Sequence, residues 1–203
     1  MSFLAIDIGT TNWKAVVFSE QCRPVYSAKR PAVTIPGQDG LQYYDPQGVW
    51  QAVVDMIGEI AANHDLNALT AVSVTSMGEA VVPIIPWFDA RSVEQAQQVR
   101  CAVGDDRVFS ITGAEAGAIF SVPKMLWMRQ HHPDVFGKAR KWLQMTDYIN
   151  YRLCGRIVTD PSMACRTLAF DLAGCRWSPE ILEPLGLGRE LFPEVLALSL
   201  IHI

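Results

Sequence analysis

Apolar and polar positions alternate at the very start of the chain. Residues 3–6 form a short apolar run. A polar stretch follows, Asp7-Ile8-Gly9-Thr10-Thr11-Asn12, and then residues 14–18 are again rich in β-formers. Strand, polar turn, strand is the pattern of a hairpin. Residues 24–33 fit a third strand, and 35–40, with Pro36, Gly37 and Gly40, fit a loop. The period then changes. Val49, Trp50, Val53, Val54, Ile57, Ile60 and Ala61 recur at helical spacing. Asp45-Pro46 ahead of them supplies a capping carboxylate and a proline at the first helical position. That helix should end near Asn63-His64-Asp65.

Residues 69–74 predict a strand running into Thr75-Ser76-Met77-Gly78-Glu79. Residues 81–87 are apolar, but Pro83 and Pro86 make them an edge strand or a broken one. Helices are expected over 92–102, 124–130, 133–140, 147–153 (closed by Gly155) and 179–185, with a strand over 167–172. Strands come early and helices late, which places the chain among α/β or α+β folds. No linker or repeat marks a domain boundary.

Composition narrows the function. The chain has 203 residues, half of them hydrophobic, with a formal charge of -4. It can fill a core, and it carries no Lys/Arg cluster to hold nucleic acid. No apolar run is long enough to span a bilayer. The first residues lack the basic start and cleavage site of a signal peptide. The five cysteines form no Cys-x-x-Cys and the four histidines no HExxH. Reduced thiols in the cytoplasm are therefore the expectation.

Three segments could carry chemistry. In Asp7 through Lys14, an acid ends a strand, a glycine lets backbone N–H groups approach a ligand, and two hydroxyls, an amide and a cation follow. Phosphate needs such donors and positive charge, with a carboxylate to hold hydrated Mg²⁺. The alternative is a plain hairpin turn. In the second segment, Glu79 and Asp89 could accept from sugar hydroxyls while Trp87 stacks on a sugar face. Against that, Trp87 could be a core aromatic and Asp89–Arg91 a surface pair. In the third, Thr159-Asp160-Pro161-Ser162 reads as a turn or helix start, with Arg166 able to pair with Asp147 or Asp160. The Met125-Leu126-Trp127-Met128 run reads as core. His131-His132 reads as a solvated helix end.

Taken together, these segments resemble the FGGY family of carbohydrate kinases. The resemblance rests on Ala5-Ile6-Asp7-Ile8-Gly9-Thr10-Thr11 with Lys14, on the segment around Asp45-Pro46, and on Pro86-Trp87-Phe88-Asp89-Ala90-Arg91. It rests also on the stretch from Asp147 through Gly155 to Thr159-Asp160, Ala164-Cys165-Arg166-Thr167 and Phe170-Asp171. It implies an actin-like ATPase, ribonuclease-H-like α/β fold: a mixed sheet flanked by helices, one lobe of a two-lobed kinase. It implies transfer of the ATP γ-phosphate to a sugar or polyol. Asp7, Gly9, Thr10, Thr11 and Lys14 would face the nucleotide phosphates, with Mg²⁺ held through Asp7 and the nucleotide. Glu79, Trp87 and Asp89 would face the sugar.

By the same resemblance the family's catalytic aspartate lies beyond residue 203, so the catalytic residue is not identified and the fragment alone is expected to be inactive. Residues 82–87 lack the hairpin the family usually has there. Gly78 and Ile119 stand where glycerol kinases resemble one another by Arg and Tyr. The expected organisation is an incomplete N-terminal lobe over 1–197 and a non-native tail over 198–203. The longer protein could form a homodimer, and another actin-like ATPase or phosphatase and a non-catalytic sugar-binding remnant stand as alternatives still open.

Overall fold

A computed structural model of the chain describes residues 1–37, 40–77 and 85–196. The amino-terminal half holds β1 (Ser2–Ile8), β2 (Asn12–Ser19), β3 (Pro24–Pro31), the short β4 (Ile35–Pro36) and β5 (Gln42–Tyr43), α1 (Pro46–Ala61) and β6 (Leu69–Ser76). The rest holds α2 (Val93–Val103), α3 (Asp105–Thr112), α4 (Ser121–His131), α5 (Pro133–Phe136) and α6 (Met145–Cys154). After these come β7 (Val158–Thr159), α7 (Pro161–Cys165), β8 (Phe170–Asp171), β9 (Arg176–Trp177), α8 (Pro179–Leu182) and β10 (Glu194–Val195).

The main sheet has the order β3-β2-β1-β6. Here β1 pairs antiparallel with β2 and parallel with β6, so the sheet is mixed. Its alternation sorts residues by face. Leu4, Ile6 and Ile8 of β1 and Trp13, Ala15 and Val17 of β2 are buried. Both α1 and α6 cover this one face, through Val49, Val53, Met56 and Ile60 of α1 and Met145, Tyr148 and Ile149 of α6. Each such aliphatic side chain is stabilised by roughly 1.5–3 kcal/mol relative to exposure. The opposite face presents Phe3, Asp7, Lys14, Ser73 and Thr75 to solvent among the described residues.

The start of α1 follows from its sequence. The Asp45 carboxylate accepts from the N–H groups of Gln47 (3.1 Å) and Gly48 (3.0 Å). Pro46 occupies the first turn, where a missing N–H costs nothing.

A second core lies among the helices. It joins Ile85, Val99, Val108, Met125, Leu126, Trp127, Trp142, Phe170, Trp177 and Phe192. Met125, Leu126, Trp127 and Met128 are all buried there, as their sequence suggested.

Several expected elements are corrected. The helix over 133–140 stops at Phe136, ahead of Gly137. The strand over 167–172 shrinks to Phe170–Asp171, because Leu168 takes a left-handed backbone (φ 65°) that no strand tolerates. The expected helix over 179–185 ends at Leu182. The helix Asp105–Thr112 was not anticipated, although Gly104 and Gly113, both at positive φ, delimit it. Residues 78–84, which include Glu79, and residues 197–203 lie outside the described residues.

Candidate functional site

The hairpin between β1 and β2 is built by its register. Ile8 pairs with Trp13 and Asp7 with Lys14, while on the other side Asp7 stands beside Thr75 of β6. Ile8 and Trp13 point into the core, so Asp7, Lys14 and Thr75 must point out, in a row across three strands. The turn closes through Gly9 N–H donating to Asn12 O at 3.2 Å. A Cβ on Gly9 would sit 3.0 Å from that same oxygen, which explains the glycine.

What the hairpin leaves open is chemically specific. Asp7, Thr10, Thr11 and Lys14 are exposed. Among the described residues, none of these side chains makes a hydrogen bond or ion pair, and no protein acceptor takes the N–H of Thr10 or Thr11. A carboxylate, an ammonium, two hydroxyls and two amides thus stand together without partners among the described residues. They suit a polyanion and its hydrated cation. Among the described residues no group of three or more His, Cys, Asp or Glu forms a metal cage. A divalent ion here would take one carboxylate from the protein and further ligands from water and phosphate.

The segment over 86–91 is built the opposite way. Asp89 N–H donates to Pro86 O at 3.2 Å, closing a turn. Asp89 Oδ1 accepts from Arg91 N (2.8 Å) and Nε (2.9 Å), and Oδ2 accepts from Arg91 Nη2 at 2.7 Å. The guanidinium also donates to Gln42 O at 3.1 Å. It lies over the rings of Tyr43 and Trp127, at 4.4 and 4.9 Å from their centroids. The pair is buried, with side chains only 3% (Arg91) and 12% (Asp89) exposed. Burial by itself pushes the Asp89 carboxyl up. The Arg91 hydrogen bonds and charge, with the charge of Lys124, outweigh it and hold the carboxyl below the usual carboxylate range.

Both bland readings of this segment are therefore overturned. Asp89–Arg91 is no surface pair, because Tyr43 and Trp127 cover it from distant parts of the chain. Trp87 is no core aromatic: it is 42% exposed, with Phe88 beside it 54% exposed, and the rings meet edge to face at 5.9 Å. Asp89 spends its oxygens on Arg91, so in this arrangement it braces the turn, and Trp87 and Phe88 are what the turn displays.

The two segments are linked through adjacent residues. Trp13, next to Lys14, meets Tyr44 at 6.4 Å, and Tyr43 lies under Arg91. A third group adjoins the sheet end. Ser76 at the end of β6 and Thr146 in the first turn of α6 bring their hydroxyls to 2.6 Å. Sequence reasoning assigned nothing to Thr75 or Thr146, since only the folded register puts them near the hairpin.

Behind Thr146, Asp147 is almost fully buried. It completes a capping box, accepting from Gln144 N–H at 3.2 Å. Burial raises its pKa to about 7. Thr159 and Gln144 favour the ionised form, while the Asp160 charge opposes it. Asp160 itself caps α7, accepting from Ser162 N (2.7 Å) and Met163 N (3.1 Å). Thr159-Asp160-Pro161-Ser162 is thus a helix start. The Arg166 guanidinium lies 5.7 Å from the Phe120 ring centroid.

The chain is similar to known proteins along nearly its whole length. The model of the FGGY family of carbohydrate kinases, N-terminal domain, matches residues 2–201. The xylulose kinase of Escherichia coli (strain K12) is 28% identical over 202 residues, covering 94% of this chain and 41% of that protein. A glycerol kinase of Ectopseudomonas mendocina (strain ymp) is 30% identical over 212 residues, covering 95% of this chain and 43% of that one. The crystal structure of a xyloylose kinase from Brucella ovis matches 97% of this chain with a TM-score of 0.88 at 27% identity, over 43% of its own length. The chain thus spans less than half the length of these relatives.

Proposed function

From the premise that this chain belongs to the FGGY family of carbohydrate kinases, we propose that it supplies the phosphate-binding lobe of an enzyme that transfers the ATP γ-phosphate to a sugar or polyol hydroxyl. The observation that carries this reading is the β1–β2 hairpin, whose polar groups are assembled by register and left without protein partners among the described residues. Thr10 and Thr11 would donate to phosphate oxygens through amide and hydroxyl. Lys14 would offset their charge, and Asp7 would hold hydrated Mg²⁺ through one carboxylate oxygen. The bound ion supplies charge neutralisation across the phosphates. Phosphoryl transfer depends chiefly on positioning and electrostatic stabilisation, which a preformed hairpin on a sheet can provide.

Trp87 and Phe88 would form the wall against which a sugar's apolar face rests, with Asp89 as their brace. The acceptor is proposed as a sugar or polyol of the kind named for the relatives, such as xylulose or glycerol. Among the described residues no helix is long and apolar enough to cross a membrane. The proposed setting is the cytoplasm, where the five free cysteines stay reduced. The test is titration of the chain with Mg·ATP and with each sugar. Asp7→Asn should weaken the nucleotide at least tenfold and leave the sugar unchanged, and Trp87→Ala should do the reverse. Equal loss of both ligands in both variants would contradict the division of roles.

A further inference from the structure

Lys124 is fully buried in α4, among Val122, Met125 and Leu126. An ammonium is an expensive group to place there, and an apolar side chain would fill the same space without desolvation. One of its contacts reaches the segment over 86–91. Nζ donates to Pro86 O at 3.1 Å, the same carbonyl that accepts from Asp89 N–H to close the turn. Its charge also favours the ionised form of Asp89. Three residues on, along the same helical face, the ring of Trp127 lies under Arg91. One face of α4 thereby holds both ends of the segment: Lys124 holds Pro86 where the turn opens, and Trp127 holds Arg91 where it closes. Trp87 and Phe88 lie between these two anchors and are exposed.

We propose that Lys124 is a positioning residue of the sugar site, fixing the Pro86 carbonyl and through it the aim of the Trp87 ring. The inference rests on the reading of residues 86–91 as the sugar-facing segment and adds the group that sets its geometry. Lys124 does not touch the substrate. Removing it loosens the turn while the surrounding apolar packing remains.

The test compares the chain with its Lys124→Met and Lys124→Arg variants by three readouts. Denaturant unfolding reads the fold, hydrogen exchange at the Asp89 amide reads the turn, and calorimetric titration with D-xylulose and with glycerol reads the site. The Met variant should still fold cooperatively, exchange the Asp89 amide at least tenfold faster, and bind at least tenfold more weakly whichever sugar the unsubstituted chain takes. The Arg variant keeps a charged donor and should restore both readouts in part. A folded Met variant with unchanged Asp89 exchange and unchanged sugar affinity overturns the proposal. Faster exchange in a protein that binds no sugar even when unsubstituted upholds the hold of Lys124 on the turn and overturns the sugar reading of the segment. Should the Met variant fail to fold, Lys124→Gln, which removes the charge and shortens the reach, carries the same comparison.

Discussion

The β1–β2 hairpin and the turn at Pro86–Arg91 solve opposite problems. In the hairpin the polar groups stand in the open with no partner among the described residues, and the apolar residues between them hold the frame. In the turn the polar groups are consumed: Asp89 by Arg91, and the Pro86 carbonyl by both Lys124 and Asp89. What remains outside is aromatic. A site for a mobile, highly charged ligand keeps its donors unspent. A platform for a neutral ligand spends its polar groups on rigidity and displays a surface. The contrast makes stability and binding separable, because side chains that fix the turn are buried and those proposed to meet ligands are not.

The contrast can be broken most forcefully at Arg91. Arg91→Ala strands the buried Asp89 carboxylate and empties the space over Tyr43 and Trp127. Loss of one partner from a buried pair destabilises by about 3–5 kcal/mol, to be measured by urea unfolding. A comparable effect comes from pH. The folded pKa of Asp147 is about 7, above the unfolded value of about 4. The unfolded chain therefore ionises first as pH rises. Stability should fall between about pH 4 and pH 7 and level off above that, with about 4 kcal/mol of the decline due to this one group. Asp147→Asn keeps an acceptor for the capping box and should remove that slope. Asp45→Ala removes the α1 cap at a cost of about 1 kcal/mol in the same assay.

The hairpin should respond the other way. Asp7→Asn and Lys14→Met alter exposed side chains without partners among the described residues, so each should change stability by less than about 0.5 kcal/mol while Mg·ATP binding falls at least tenfold. Large destabilisation by either substitution would mean that these groups serve the fold.

The hairpin was legible in the sequence because both of its requirements are local. Alternation fixes which residues face inward, and Gly9 sits where the turn closes. The start of α1 was legible for the same reason, since Asp45-Pro46 carries its cap within four residues. The turn was not. Whether Asp89–Arg91 is buried depends on Tyr43 and Trp127, and whether Trp87 is exposed depends on how Pro86 is held by Lys124. Nothing within the hexapeptide records those partners. Residues 167–172 misled for a different reason. Their composition favours a strand, but Leu168 turns the chain with a left-handed backbone, and only Phe170 and Asp171 pair, with Trp177 and Arg176. Where the strand does form, Phe170 packs against Trp177, with ring centroids 5.7 Å apart.

The central claim is that the hairpin receives the phosphates of a nucleotide. Amide chemical shifts of the isotope-labelled chain, followed during titration with Mg·ATP, test it directly. The largest shifts should fall on Thr10 and Thr11, inorganic tripolyphosphate should reproduce them, and Asp7→Asn should remove their dependence on Mg²⁺. Shifts concentrated instead on Arg176 and Arg189, which line a cavity of about 620 Å³, with Thr10 and Thr11 unmoved, would contradict it.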